Sequence, residues 1–165
     1  MKVRPARTDE AETLTLLAVR ATRNDGYDAE TIGRIMPALE SNPALLAGGQ
    51  VFVAEDSTGA LLGQVALRRS QWAGVVLLET IFVDPDHHRR GVGKLLFEFA
   101  LEWARRTSSV AMMIFANPPA VPFYEKLGAI TFGKVPFVFD ANILLTVCVV
   151  AVPAASETWT SEDKS

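Results

Sequence analysis

The order of elements legible in the sequence predicts a single mixed α/β domain. It has a mostly antiparallel sheet of about seven strands, flanked by about four helices. Three observations carry this. Three short apolar segments, Gln50–Glu55, Leu61–Arg68 and Val75–Val83, follow one another with turn residues between them, as in an antiparallel meander. A helical apolar face over about residues 92–106 then separates Val75–Val83 from the next strand, Val110–Ala116. A crossover of that kind joins parallel neighbours in a sheet. Finally, 49% of the 165 residues are hydrophobic, which argues against disorder and supplies one core of ordinary size.

The elements follow in order. Lys2–Ala6 reads as a short strand, and Thr8 as the N-cap of a first helix with Asp9 and Glu10 in its opening turn. Ala11, Leu14, Leu17, Ala18 and Ala21 recur at helical spacing until Asn24-Asp25-Gly26 ends the run. A second helix spans about Ala29 to Glu40, interrupted by Pro37, and Ser41-Asn42-Pro43 reads as a break. Ser57-Thr58-Gly59 is a turn within the meander. Val92, Leu95, Leu96, Phe99, Ala100 and Trp103 form one face of the crossover helix. Pro119–Leu127 is a short helix with Gly128 at its C′ position, and strands follow near Ala129–Gly133 and Ile143–Val150. The chain shows no internal repeat. Residues 1–152 form the domain, and residues 153–165 are expected to be a flexible tail.

Composition removes several classes of function. A net charge of −3 provides no broad field for nucleic acid or an anionic membrane. One cysteine, Cys148, forbids an internal disulfide and reads as an inert core thiol. Lys2, Arg4 and Arg7 lead into an amphipathic helix, not a secretory leader. The longest apolar run, Ile143–Val152, is shorter than the roughly 20 residues a membrane span needs. A soluble, cytoplasmic protein without nucleic-acid or membrane partners is expected. His87 and His88 have no further Cys or His at ligand spacing, so no metal is expected either.

The chemistry concentrates in Asp84-Pro85-Asp86-His87-His88-Arg89-Arg90-Gly91-Val92-Gly93-Lys94, where a strand passes through a basic, glycine-containing turn into a helix start. Backbone N–H groups at a helix start favour anions, Gly91 and Gly93 allow close approach, and Arg89 and Arg90 add positive charge. A phosphate or pyrophosphate ligand follows. Two common phosphate motifs fail on spacing. A Walker-type loop would need Gly at His88 and Ser or Thr at Leu95, and a dinucleotide fingerprint would need Gly at Leu96.

The segment resembles instead the acyl-CoA pyrophosphate loop of the GNAT superfamily of N-acetyltransferases, Gln/Arg-x-x-Gly-x-Gly/Ala. The match is His88-Arg89-Arg90-Gly91-Val92-Gly93, with His88 in place of Gln or Arg. Asn117 to Ala129 resembles the family's later motif, Asn-x-x-Ala-x-x-x-Tyr-x-Lys-x-Gly-Phe, departing only at Ala129. Val3 to Ala11 looks like its first strand and helix. The resemblance implies a single-domain GNAT fold over about residues 2–150, splayed between strands four and five. Acetyl-CoA would be the co-substrate, its pantetheine arm bonded to the backbone of Ile81, Phe82 and Val83 as an added strand would be. His88, Arg89, Arg90, Gly91, Val92, Gly93 and Lys94 would hold the pyrophosphate.

The implied reaction is direct acetyl transfer to a primary amine of a small molecule or peptide. Tyr124 matches the family's tyrosine and would protonate the departing thiolate, the other reading being a half-buried packing residue. A backbone N–H near Val83 would hold the oxyanion. Glu79 interrupts an apolar strand near a position where many family members carry a glutamate base. Its other reading is a structural carboxylate paired with Arg68 or Arg69. Asn117 would cap the next helix or bond the pantetheine, and Phe123 would pack on the cofactor or in the core. The acceptor would be shaped by Asn24–Ala29, whose Asp25, Tyr27 and Asp28 either favour a cationic amine or form a solvated turn. It would also be shaped by the loop at Lys134–Asn142. The apolar Val135–Phe139 within that loop reads as an acceptor wall, a buried segment, or a subunit contact in a homodimer. A non-catalytic acyl-CoA-binding regulatory or partner module is the alternative function.

Overall fold

A computed structural model describes residues 1–154; the expected tail lies, from residue 155 onward, outside the described residues. Seven strands form one sheet: β1 (Lys2–Pro5), β2 (Val51–Glu55), β3 (Leu61–Arg69), β4 (Val75–Val83), β5 (Ala111–Ala116), β6 (Ile130–Phe137) and β7 (Asp140–Ala151). Their spatial order is β1-β2-β3-β4-β5-β7-β6. All neighbours are antiparallel except β4 and β5, which pair in parallel across the crossover helix α4 (Val92–Arg106). The other helices are α1 (Ala11–Asn24), α2 (Ala29–Leu39), α3 (Pro43–Ala47) and α5 (Val121–Lys126). None of the described helices is long and apolar enough to cross a membrane.

The helices form a layer on each face. On one face, α4 and α5 bury the main core, with Phe97, Leu96, Val76, Met112, Ile114 and Cys148 almost fully enclosed. On the other, α1 and α3 cover β2 and β3 around Leu14, Leu46 and Val53, while α1 and α2 cover the start of β7 around Ile32, Ile35, Ile143 and Leu145. Gly63 on β3 permits the tight join between α4 and the sheet. A Cβ there would lie 2.7 Å from the Phe82 carbonyl oxygen and about 3 Å from the Leu96 and Val92 side chains.

Several local expectations are corrected. Thr8 does not cap α1: Thr8–Glu10 is a 3-10 turn, and α1 begins at Ala11 without a side-chain cap. The predicted break at Ser41-Asn42-Pro43 is the start of a fifth helix. Asn42 accepts from the N–H groups of Ala44 and Leu45 at 2.9 and 3.2 Å, and Pro43 needs no donor in the first turn. Pro37 does not interrupt α2, which runs on to Leu39. The predicted loop at Lys134–Asn142 is mostly paired strand, because β6 reaches Phe137, β7 starts at Asp140, and only a tight turn separates them. Pro136 is tolerated because β6 is the sheet edge, where no neighbour needs its missing N–H.

An ion-pair network ties the chain's start to the sheet. Arg4 donates to Glu10 at 2.8 and 3.0 Å and to Glu55 at 2.6 Å, while the Arg7 N–H donates to Glu10 at 2.7 Å. Glu10 is buried, and the Arg4 hydrogen bonds outweigh desolvation to hold its carboxyl down at about 2. A depressed folded-state pKa gives stability that is present above the unfolded value and lost on acidification. Stability is therefore expected to fall as pH drops from about 4.5 towards about 2. Glu10→Gln should cost about 2 kcal/mol in urea unfolding at neutral pH and flatten that acid limb.

Candidate active site

Two strands that begin together and then part create the site. β4 and β5 are in register from Val75 opposite Ala111 to Leu78 opposite Ile114. β4 continues to Val83, but no β5 partner is registered beyond Leu78. A bulge coincides with the parting. Ala66 of β3 opposes Thr80 and Leu67 opposes Leu78, so Glu79 is the extra residue. The bulge reverses the alternation of β4: Val76 and Leu78 face the main core before it, Ile81 and Val83 after it.

The same register aims the backbone. Asp84 N–H bonds the Leu62 carbonyl at 2.9 Å, which places Asp84, and by alternation Phe82, in hydrogen-bonded pairs with β3. The main-chain groups of Ile81 and Val83 therefore point away from β3, into the gap. Of the three residues expected to meet a ligand through their backbone, Phe82 is already committed to the sheet. Its side chain packs instead beside α1 and α2.

Beyond β4 the chain makes a pinned turn. Asp84, itself buried, accepts the Asp86 N–H at 2.9 Å, and Arg20 of α1 reaches Asp84 at 2.9 Å and Asp86 at 2.8 Å. Arg89 adopts φ 60° and Gly91 φ 78°, both left-handed, and α4 starts at the next residue with no side-chain cap. The first-turn N–H groups are thus left without intrahelical acceptors at a turn that lets a ligand approach. Gly93 serves a different end: a Cβ there would sit 3.3 Å from the Phe123 ring, so its absence lets α5 close over the start of α4.

These elements surround a cleft of about 430 Å³. Ile81, Phe82, Val83, His88, Arg89, Gly91, Val92, Gly93, Lys94, Phe123 and Tyr124 line it. Three predicted residues are not among its walls. Arg90 is exposed outside it. Asn117 makes no side-chain cap bond, contributing only its carbonyl to Ala120 N–H at 2.9 Å. Glu79 is held by Arg68, whose Nε donates to its carboxylate. Its place in an apolar strand is explained by the bulge, which turns it to the solvent side and into the pair with Arg68. His88 bonds the Val83 carbonyl through Nε2 at 3.2 Å, so it seals the strand end.

Sequence reasoning also missed part of the wall. Ala21 and Asp25 of α1, His87, Pro119 and Ala120 line the cleft as well. In the sequence Asp25 reads as an acceptor-loop charge or part of a solvated turn. It is the one carboxylate among the lining residues, and proximity to the protein wall pushes its carboxyl up, against an opposing pull from His88. Its signal was an acid at a helix C-terminus, where the dipole disfavours negative charge.

Tyr124 is held in the wall by backbone closure and by ring packing. Ala129 N–H bonds the Tyr124 carbonyl at 3.0 Å, and Gly128 N–H bonds Glu125 at 3.0 Å with Gly128 at φ 96°, a Schellman closure. The ring packs against Phe123 and Phe97 at centroid distances of 5.1 and 6.1 Å. Tyr124 is 3% exposed, and burial pushes its phenol far above the usual tyrosine range, with a smaller contribution from Cys148. Gly91→Ala would force a Cβ into the left-handed turn. It should cost about 1 kcal/mol, read as a fall of about 3 °C in Tm, without altering the Tyr124 environment.

Residues 16–129 match the Acetyltransferase (GNAT) family. The chain is 31% identical over 85 residues to a streptothricin acetyltransferase of Streptomyces lavendulae, covering 50% of this chain and 45% of that one. It is 35% identical over 68 residues to streptothricin acetyltransferase A of Bacillus subtilis, covering 39% of each. The chain thus aligns with less than half the length of these two curated relatives. The crystal structure of PaiA N-acetyltransferase from Thermoplasma acidophilum in complex with coenzyme A shares the fold. Its TM-score is 0.70 at 16% identity, covering 88% of this chain and 96% of that one. The parted strands, the glycine turn and the profile spanning most of the domain agree, and the chain belongs to the GNAT acetyltransferase family.

Proposed function

We propose that the protein transfers an acetyl group from acetyl-CoA directly to a primary amine of a small molecule. One observation carries the reading: a free strand edge, an anion-binding helix start and a buried tyrosine open onto one cleft. The pantetheine arm pairs with the gap-facing backbone of Ile81 and Val83. The pyrophosphate rests on the turn through Lys94, with Arg89 adding charge.

The chemistry follows from these placements. The neutral amine attacks the thioester carbonyl, the new C–N bond forms, and the electron pair moves to oxygen. A gap-facing N–H of β4 stabilises that oxygen. The C–S bond then breaks with its electron pair on sulfur, the sulfur takes the Tyr124 proton, and the attacking nitrogen gives its proton to solvent, from which the tyrosine is reprotonated. Fixing both reactants supplies much of the acceleration. Asp25 offers negative charge on the α1 side for a cationic acceptor. Streptothricin, the compound in the names of the curated relatives, is the acceptor to test first. We place the reaction in the cytoplasm, where a single buried thiol remains reduced.

Tyr124→Phe should lower kcat by about 100-fold while acetyl-CoA affinity stays within about twofold; an unchanged kcat removes Tyr124 from the acid role. A raised folded-state pKa keeps the phenol protonated as pH rises. Since the amine must lose its proton, kcat/KM should climb with pH towards about 10 with no alkaline fall from this tyrosine. Glu79→Gln should change kcat less than about threefold, since Arg68 holds that carboxylate. Calorimetric binding of acetyl-CoA without thiol release on any amine would instead support a non-catalytic acyl-CoA module.

A further inference from the structure

The turn before α4 sorts its charges. Two acids open it, Asp84 and Asp86, and His87, His88 and Arg89 follow. His87, His88 and Arg89 line the cleft, whereas Asp84 and Asp86 do not. Arg20 accounts for the difference. Projecting from α1, its Nη1 lies 2.9 Å from Asp84 Oδ2, and its Nη2 lies 2.8 Å from Asp86 Oδ2 and 3.4 Å from Asp84 Oδ1. A planar guanidinium with several donors can bridge two carboxylates in this way. Asp84 is buried, so a cation beside it offsets the desolvation of its charge. His87 Nδ1 stands 3.6 Å from the same carboxylate, beyond hydrogen-bond reach, which leaves that task to Arg20.

The other hydrogen bonds of the turn are short-range. His87 N–H bonds the Asp84 carbonyl at 2.9 Å, His88 N–H meets the Pro85 carbonyl at 3.4 Å, and the His88 ring returns to Val83. Arg20 carries the two acids across to another layer of the fold. Without it, two uncompensated carboxylates would stand in a turn whose far end favours an anion. Like charges within about 8–10 Å repel appreciably at ordinary ionic strength, so they would oppose a diphosphate arriving at the start of α4. With Arg20 in place, one net negative charge remains of the two, and it is held on the α1 side.

We infer that Arg20 is a positioning residue for the donor: by holding Asp84 and Asp86 on α1, it keeps their charge from acting on the diphosphate of acetyl-CoA. This role rests on the acetyl-CoA reading proposed above, and it belongs to a residue outside the walls of the cleft. It is a selective role. A pair that merely stabilised the fold would support every ligand of the cleft alike. Charge compensation acts only on the part of the donor that is itself negative, and it weakens as salt screens the exposed Asp86.

Calorimetric titration of the full chain with two donors tests this. Acetyl-CoA carries the diphosphate; S-acetylpantetheine has the same thioester and arm without it. Arg20→Gln should weaken acetyl-CoA binding about tenfold at low salt and by less at high salt, while S-acetylpantetheine binding stays within about twofold. Adding Asp86→Asn to Arg20→Gln removes one uncompensated charge and should recover at least about threefold of the loss. Asp86→Asn alone, at a side chain 76% exposed, should bind acetyl-CoA no more weakly than the wild type; a weaker variant overturns the inference however Arg20→Gln folds. Unchanged acetyl-CoA binding in Arg20→Gln, an equal loss with both donors, or no recovery in the double variant also overturns it. Each of those results leaves the acetyl-CoA reading standing, whereas a wild type that binds no acetyl-CoA removes that reading and this role together.

Discussion

The hydrogen bonds that β4 does not make with β5 organise this molecule. Both strands start side by side and both are needed for the core, yet four registered pairs are all they share. Past Leu78 the backbone of β4 would be left without partners on one side, a costly condition in a dry interior. The fold resolves this by leaving that edge on an open cleft. The bulge at Glu79 makes the arrangement compatible with packing. By reversing the alternation it keeps Ile81 and Val83 against the main core while the strand bends away. Everything else at the site, from the pinned turn to α5, is arranged around the space so produced.

The burial of Tyr124 is the complementary constraint. Burial makes this phenol strongly resist ionisation, so it stays neutral across the ordinary pH range. The closure at Gly128 matters because α5 is only six residues long and has little helical stability of its own. The edge-on and tilted ring contacts and the two terminal hydrogen bonds fix where the phenol sits.

Much of this was legible in the residues. Meander, crossover helix and glycine turn each have local signatures, and the crossover helix was bounded at Val92 and Arg106 as the structure has it. The misreadings share a cause. Glu79 kept two readings in the sequence because a bulge, which turns it towards Arg68, has no reliable sequence mark. Pro43 was read as a stop when Asn42 before it signalled a start. Val135–Phe139 looked like an apolar loop because a proline in an edge strand reads locally as a break. Asp25 joins the wall only through the packing of α1 against the end of β4, a long-range fact that spacing along the chain cannot carry.

Arg20 reaches from α1 to both Asp84 and Asp86, the two acids that shape the turn before α4. Five residues further along, the same helix ends at Asp25 in the wall of the cleft. One helix thus touches the turn before α4 at one point and the wall of the cleft at another. A coupling between ligands on the two sides, carried through this shared body, would act with equal strength in both directions. The clamp gives the two sides of the cleft one common support, so the position of each is tied to the other.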